Sequence, residues 1–291
     1  MKKKIVSVLV LLLIPILLLS CKNNDSEKSD KVKVVTSIYP MKEFTEVIGG
    51  DKVEVISLIP NNVEPHDYEP NTKDYEELIK ADLFIYNGLG MEEWLDDVKE
   101  QLKDNITYVN ASDKVSVIKE GKKKDPHAWL SLLEAKNQCE TIKNALVKAD
   151  KNNEEYYEKN YEDYTIKLQD LYDEYDEKFK NINTNKFVTS HAAFGYLCRD
   201  FGLKQSYLHD MFGEGEITAK EYENLAKYCT DNNISTIFSE QEESSKEAET
   251  LANEINGKVV PLYTLETKVE GKSYLEAMKS DLDTIYTSLK K

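Results

Sequence analysis

The sequence predicts an α/β protein: two α/β lobes with mainly parallel sheets, joined by a long linking helix. Three observations carry this. Short β-branched runs alternate with helical patterns over residues 32–131 and again over 183–291, as parallel strands with crossover helices do. Between them, residues 132–182 keep a helical period with no strand pattern. At 291 residues, 40% hydrophobic and 32% charged, the chain is also long enough for two core-forming units.

The first element belongs to neither lobe. Residues 1–20 open on Lys2-Lys3-Lys4 and continue as an apolar run, Ile5 to Leu19, broken only by Ser7 and Pro15. That run is shorter than a bilayer-spanning helix needs, so it reads as a signal peptide. It closes on Leu18-Leu19-Ser20-Cys21, which resembles the bacterial lipobox and makes Cys21 the expected lipid attachment site rather than an incidental residue of a signal anchor. Residues 21–31 follow as a polar tether.

In the first lobe, 32–131, Lys33 to Ser37 reads as a strand and Met41 to Ile48 as a helix closed by Gly49-Gly50. Val53 to Leu58 is the next strand and delivers the chain into Val63-Glu64-Pro65-His66-Asp67-Tyr68-Glu69-Pro70. That stretch is too Pro-punctuated for helix and too acidic for a buried strand, so it predicts a stiff, partly exposed loop. Asn71 or Thr72 caps a helix to about Lys80, Leu83 to Tyr86 is a third strand, and Asn87-Gly88 is its turn. Met91 to about Leu102 predicts an amphipathic helix, and Thr107 to Asn110 a fourth strand. A basic loop, Gly121 to Lys124, leads to Asp125-Pro126-His127-Ala128-Trp129.

The linking segment, 132–182, predicts helix with a break near Asp150-Lys151-Asn152. Tyr157, Tyr161, Tyr164, Leu168, Leu171, Tyr175 and Phe179 recur at spacings of three and four, which marks a packing face rather than an aromatic ligand box. In the second lobe, 183–291, Phe187 to Thr189 is a strand ending at His191, and Ala192 to Phe201 is a helix stopped by Gly202. Thr218-Ala219-Lys220-Glu221 and Ser244-Ser245-Lys246-Glu247 are capping-box patterns opening helices. Ser235 to Phe238 and Val259 to Leu262 are strands, and the last helix runs from about Ser273 to Leu289.

A formal net charge of -16 excludes nucleic acid as a partner, because that binding rests on Lys and Arg neutralising phosphates, while an attraction for cations is permitted. Cys139, Cys198 and Cys229 imply no disulfide framework, and Cys139 and Cys198 read as small buried hydrophobes in helices.

Three of the four histidines, His66, His127 and His191, fall where a predicted strand gives way to a loop or helix. That suggests a metal site assembled from distant segments in the cleft between the lobes. Imidazole suits zinc, copper, iron or nickel, and tetrahedral zinc needs a fourth ligand. Two acidic candidates follow strands of the second lobe, Glu240 in Phe238-Ser239-Glu240-Gln241 and Glu266 in Tyr263-Thr264-Leu265-Glu266. A carboxylate bonded to a ligand ring would orient the imidazole instead of binding the ion. The residues alone leave both open.

The segments TSIYPMKEFT (36–45), VEPHDYEPNTKD (63–74), ADLFIYNGLGMEEW (81–94), DPHAWL (125–130) and TSHAAFGY (189–196) together resemble the zinc-binding solute-binding lipoproteins of bacterial metal-uptake ABC transporters, across essentially the whole mature length. The resemblance implies that His66, His127 and His191 bind the metal and that Glu266 completes the shell. Manganese-selective relatives usually carry a carboxylate where this chain has His191, so the resemblance points to Zn2+ over Mn2+. It further implies a monomer, lipid-anchored on the extracytoplasmic face of the cell membrane, that passes its ion to a permease. Two departures stand out. The His-rich acidic loop of many zinc relatives is replaced by the short basic stretch Lys119 to Lys124, and Gln205 to Glu216 differs from the usual pattern and contains His209, which reads as a non-ligand.

The leading expectation is therefore zinc capture for uptake, with no catalytic residue. A zinc hydrolase is the alternative, since three histidines and an open position also make a catalytic zinc. Against it, the sequence contains no His-Glu-x-x-His and no Gly-x-Ser-x-Gly motif, and a Glu ligand would close the open position. An additional adhesin role is a third reading.

Overall fold

The structure is a computed structural model that describes residues 31–61, 63–213, 217–240 and 246–290. The signal peptide, Cys21 and the tether up to residue 30 lie outside the described residues.

Strands β1 (Val32–Thr36), β2 (Val53–Ser57), β3 (Leu83–Tyr86) and β4 (Thr107–Asn110) form a parallel sheet in the order β2-β1-β3-β4. All four residues of β3 are buried, as expected of a central strand covered on both faces. Helix α1 (Tyr39–Gly49) follows β1 with Pro40 in its first turn, where a missing N–H costs nothing, and it buries Met41, Phe44 and Ile48. Helix α2 (Thr72–Lys80) opens on a capping box between Asn71 and Asp74. Helix α3 (Leu95–Leu102) begins later than the expected Met91. The cause is Glu92, which folds back to accept hydrogen bonds at 2.8 Å from the backbone N–H of both Asn87 and Gly88 and so holds the segment as a turn.

The expected basic loop before His127 is a short antiparallel hairpin, β5 (Lys119–Glu120) and β6 (Lys123–Lys124), turned at Gly121 with φ +61°. Residues 132–182 are not one helix. α4 (Leu132–Ala149), capped by Ser131, and α5 (Glu154–Phe179) are separated by a 3-10 turn over Lys151–Asn153, where the break was expected. Helix α4 packs on α1 and α5, so α5 alone makes the long link.

The second sheet contains β7 (Lys186–His191), β8 (Lys204–His209), β9 (Thr236–Glu240) and β10 (Lys258–Leu262), parallel throughout in the order β10-β9-β7-β8. Helices α6 (Gly195–Phe201), α7 (Ala219–Asp231), α8 (Lys246–Glu254) and α9 (Tyr274–Leu289) connect and follow the strands. Numbered within their own lobes, the strands of the two sheets follow the same order, second-first-third-fourth. Gly202 ends α6 at φ +67°, and Thr218 and Ser273 complete capping boxes at α7 and α9. Ser244 and Ser245, expected to cap α8, lie outside the described residues. Strand β8 has no counterpart in the sequence expectations.

One apolar core runs through both lobes, taking in Phe44, Trp129, Tyr164, Phe179, Leu197 and Ile285. Helix α5 is its axis. The Tyr164 ring packs on Phe44 of the first lobe at 6.2 Å, and Phe179 packs on Phe201 of the second at 5.1 Å. Each such aromatic buried contributes about 1.5–3 kcal/mol. Cys139, Cys198 and Cys229 are free and buried.

Candidate metal centre

In an open parallel sheet, ligands gather beyond the C-terminal strand ends where the crossovers change direction. Here that point lies between β1 and β3 in one sheet and between β7 and β9 in the other. His191 ends β7 and Glu240 ends β9, so the second sheet delivers both directly. In the first sheet the place is taken by Asn87, whose Nδ2 donates to the Pro126 carbonyl at 2.9 Å and so seats the residue before His127. His66 rides the loop after β2, whose far end is pinned by the Tyr68 hydroxyl, 2.6 Å from Asp74 Oδ2.

These segments bring His66, His127 and His191 together. One nitrogen of each ring lies within 4.8 Å of the other two, and the ring centroids are 4.9–5.8 Å apart. Asp125 Oδ1 accepts from the His127 backbone N–H at 2.9 Å and stands 2.9 Å from its ring Nδ1. That contact leaves His127 Nε2 facing Glu266 Oε1 at 3.1 Å. His191 is oriented the same way, its Nδ1 lying 2.5 Å from Glu240 Oε1. The Nε2 atoms of His66 and His191 are buried with no hydrogen-bond partner among the described residues. Buried polar atoms without partners are costly, and a cation between these rings would satisfy them.

Glu266 is placed by several ties. Its carbonyl accepts from Tyr39 N–H at 3.2 Å, and the neighbouring Thr264 carbonyl accepts from Trp129 Nε1 at 2.7 Å. Leu265 before it is buried and left-handed, with φ +60°, a conformation that costs a side-chain-bearing residue about 1–2 kcal/mol and turns the Glu266 carboxylate into the cluster. Burial opposes the charge on Glu266, but the His127 hydrogen bond and the three neighbouring imidazoles outweigh it and hold the carboxyl at about 2. Burial likewise opposes protonation of His127, yet Asp125 and Glu266 raise it to about 9. His191 is raised too, burial being overcome by Glu240. His66, with no such carboxylate bond, is lowered by burial to about 4.

Of the two acidic candidates, then, Glu266 faces the cluster and Glu240 backs a ring. His209 stands apart at the end of β8 with its Nε2 2.5 Å from Glu247 Oε2. Sequence reasoning assigned nothing to Asp125, although its place two residues before His127 fits a side chain bonding back to that residue's backbone. It also passed over Glu64, whose carboxylate oxygen, His66 nitrogen and Glu266 oxygen lie within 4.8 Å of one another. Burial and the nearby Glu266 charge raise Glu64 to about 7. Phe212, also unassigned, sets its ring edge-on to His66 at 5.5 Å.

The family model described as "Zinc-uptake complex component A periplasmic" matches residues 34–288. The chain is 38% identical to the "High-affinity zinc uptake system protein ZnuA" of Bacillus subtilis, covering 93% of this chain and 91% of that one. It is 33% identical to the "Manganese ABC transporter substrate-binding lipoprotein PsaA" of Streptococcus anginosus, covering 99% of this chain and all of that one (100%). Among solved structures, the metal-dependent lipoprotein YcdH of Bacillus subtilis superposes with a TM-score of 0.81 at 40% identity, over 90% of this chain and 100% of that one.

Proposed function

The chain belongs to the zinc-uptake complex component A family, and on that premise we propose that it captures Zn2+ outside the cytoplasm and delivers it to the permease of an ABC transporter. The ion is its cargo, and its ligands are His66, His127, His191 and Glu266. One observation carries this reading: two buried imidazole nitrogens have no hydrogen-bond partner among the described residues, beside a third imidazole and a buried carboxylate.

Relatives are named for zinc and for manganese. The donor set favours zinc, because three imidazoles and one carboxylate suit it, whereas manganese prefers a shell of oxygens. The hydrolase and adhesin readings are not favoured by the family match, and a Glu266 ligand would close the position that a hydrolytic zinc keeps open. Among the described residues no helix is long and apolar enough to cross a membrane. Attachment is assigned to a lipid on Cys21, supported by the lipobox-like sequence and by relatives named as lipoproteins. The same proposal divides the chain into signal peptide (1–20), tether (21–31), first lobe (32–131), linking segment (132–182) and second lobe (183–291), acting as a monomer.

Elemental analysis of the purified mature protein, followed by competition between zinc and manganese, tests the reading. One zinc per chain that excess manganese does not displace is expected. Absence of bound metal after zinc loading would overturn it.

A further inference from the structure

A cavity of about 760 Å³ opens beside the histidine cluster, between the loop bearing Glu64 and the segment Leu262–Gly271. Its described lining residues include Glu64, Glu240, Glu266 and Glu270, with Lys268 as the one cation among them. None of the three clustered histidines is among the lining residues. An ion arriving through this cavity meets carboxylates before imidazoles, and a concave acidic wall raises the local concentration of cations.

Two three-residue sets overlap at this point. His66, His127 and His191 form one, and Glu64, His66 and Glu266 form the other. They share His66, whose side chain is only 8% exposed and whose Nε2 is buried without a hydrogen-bond partner among the described residues. Glu266 also serves both sides, its Oε1 lying 3.8 Å from His66 Nε2 and 3.1 Å from His127 Nε2. Ligand atoms around a tetrahedral zinc are about 3.3 Å apart at bond lengths near 2.0–2.1 Å. Closing the second set to that spacing from within 4.8 Å needs small side-chain rotations, in which the Glu64 carboxylate gives up the hydrogen bond that its Oε1 accepts from the His66 backbone N–H at 3.2 Å.

We propose that Glu64, His66 and Glu266 form an outer divalent-cation site on the cavity side of the histidine cluster, which receives the ion before it moves inward to His127 and His191. The proposal rests on the metal-capture reading above. His66 and Glu266 hold the ion throughout the transfer, and the release of Glu64 as His127 and His191 bind carries it across. No bond to the ion need be given up before its replacement is at hand.

The test removes the inner site and asks what survives. In a His127→Ala, His191→Ala double variant titrated with Co2+, residual binding of one ion is expected, weaker than wild type, with a d-d spectrum of few nitrogen donors. Adding Glu64→Gln should weaken that residual binding at least tenfold. No residual site, or one indifferent to Glu64, would overturn the proposal. Should the double variant fail to fold, stopped-flow zinc loading of full-length Glu64→Gln decides: association should slow severalfold, and an unchanged rate counts against the outer site. Wild type that binds no metal would instead sink the capture reading itself, so the two failures are distinguishable.

Discussion

His191 and Glu240 end neighbouring parallel strands, and the carboxylate of one stands 2.5 Å from the Nδ1 of the other. A carboxylate in that position fixes the ring and raises its basicity without touching the ion. Glu240→Gln should therefore cost about 10- to 100-fold in zinc affinity, the range for such supporting groups. Glu266→Gln should cost more, because it removes the charge facing the cluster. Chelator competition at one pH measures both, and a larger loss in the Glu240 variant would reverse the two roles.

Zinc binding should release protons. With a pKa raised to about 9, His127 is protonated in the metal-free protein at neutral pH, and His191 is shifted the same way, whereas His66, at about 4, is already neutral. The ion competes with the protons on the raised pair, so apparent affinity should climb from pH 7 towards 9 and level off above it. At pH 7.5 at least about one proton, that of His127, should leave per zinc. Calorimetry in buffers of different ionisation enthalpy counts them, and a count of zero would show that these imidazoles are not displaced by metal.

Metal should also stabilise the fold. A ligand bound only by the native state contributes about 2.7 kcal/mol at a hundredfold excess over Kd, or roughly 5–10 °C in Tm for a domain of this size. His191→Ala should remove most of that rise while the metal-free protein still melts cooperatively. If the metal-free variant is unfolded, the ring's role is structural.

Two tyrosines of α5 give a contrast that does not involve metal. The Tyr164 hydroxyl is buried without a hydrogen-bond partner among the described residues, whereas the Tyr157 hydroxyl lies 2.8 Å from Asp150 Oδ2. Tyr164→Phe should be neutral or stabilising by up to about 1 kcal/mol, and Tyr157→Phe should cost about 0.5–1.5 kcal/mol. Urea denaturation distinguishes them, and a destabilised Tyr164→Phe would reveal a partner for that hydroxyl.

The buried strands were legible because burial on both faces imposes β-branched and apolar runs, as in Leu83–Tyr86. Strand β8 was not, for the opposite reason. It is an edge strand with Tyr207 37% exposed, and Lys204–His209 carries little of the pattern that burial would impose. Similarly, the late start of α3 depends on Glu92 bonding to backbone N–H groups, which hydrophobic periodicity does not register. At the site, His191 was legible from its place at a strand end, and His66 and His127 from the Pro-containing loops that carry them. The choice between Glu240 and Glu266 was not, on the residues alone, because both follow a strand and only the packing of Leu265 and Trp129 turns one of them inward. Asp125 was hidden by the short range of its bond, which leaves no periodic trace in the sequence.

The aromatic face of α5 constrains how the ion can leave. A hinge between the lobes would have to bend a helix of 26 residues or pull Phe44 from Tyr164 and Phe179 from Phe201, opening a shared core to water. Wide clamshell opening is therefore an expensive coordinate, and the softer one is local: rearrangement of the loop carrying Glu64 and His66 and of the segment carrying Glu266. Work done by a docked permease would then be felt as a pull on two loops, while the helix between the sheets behaves as a fixed strut.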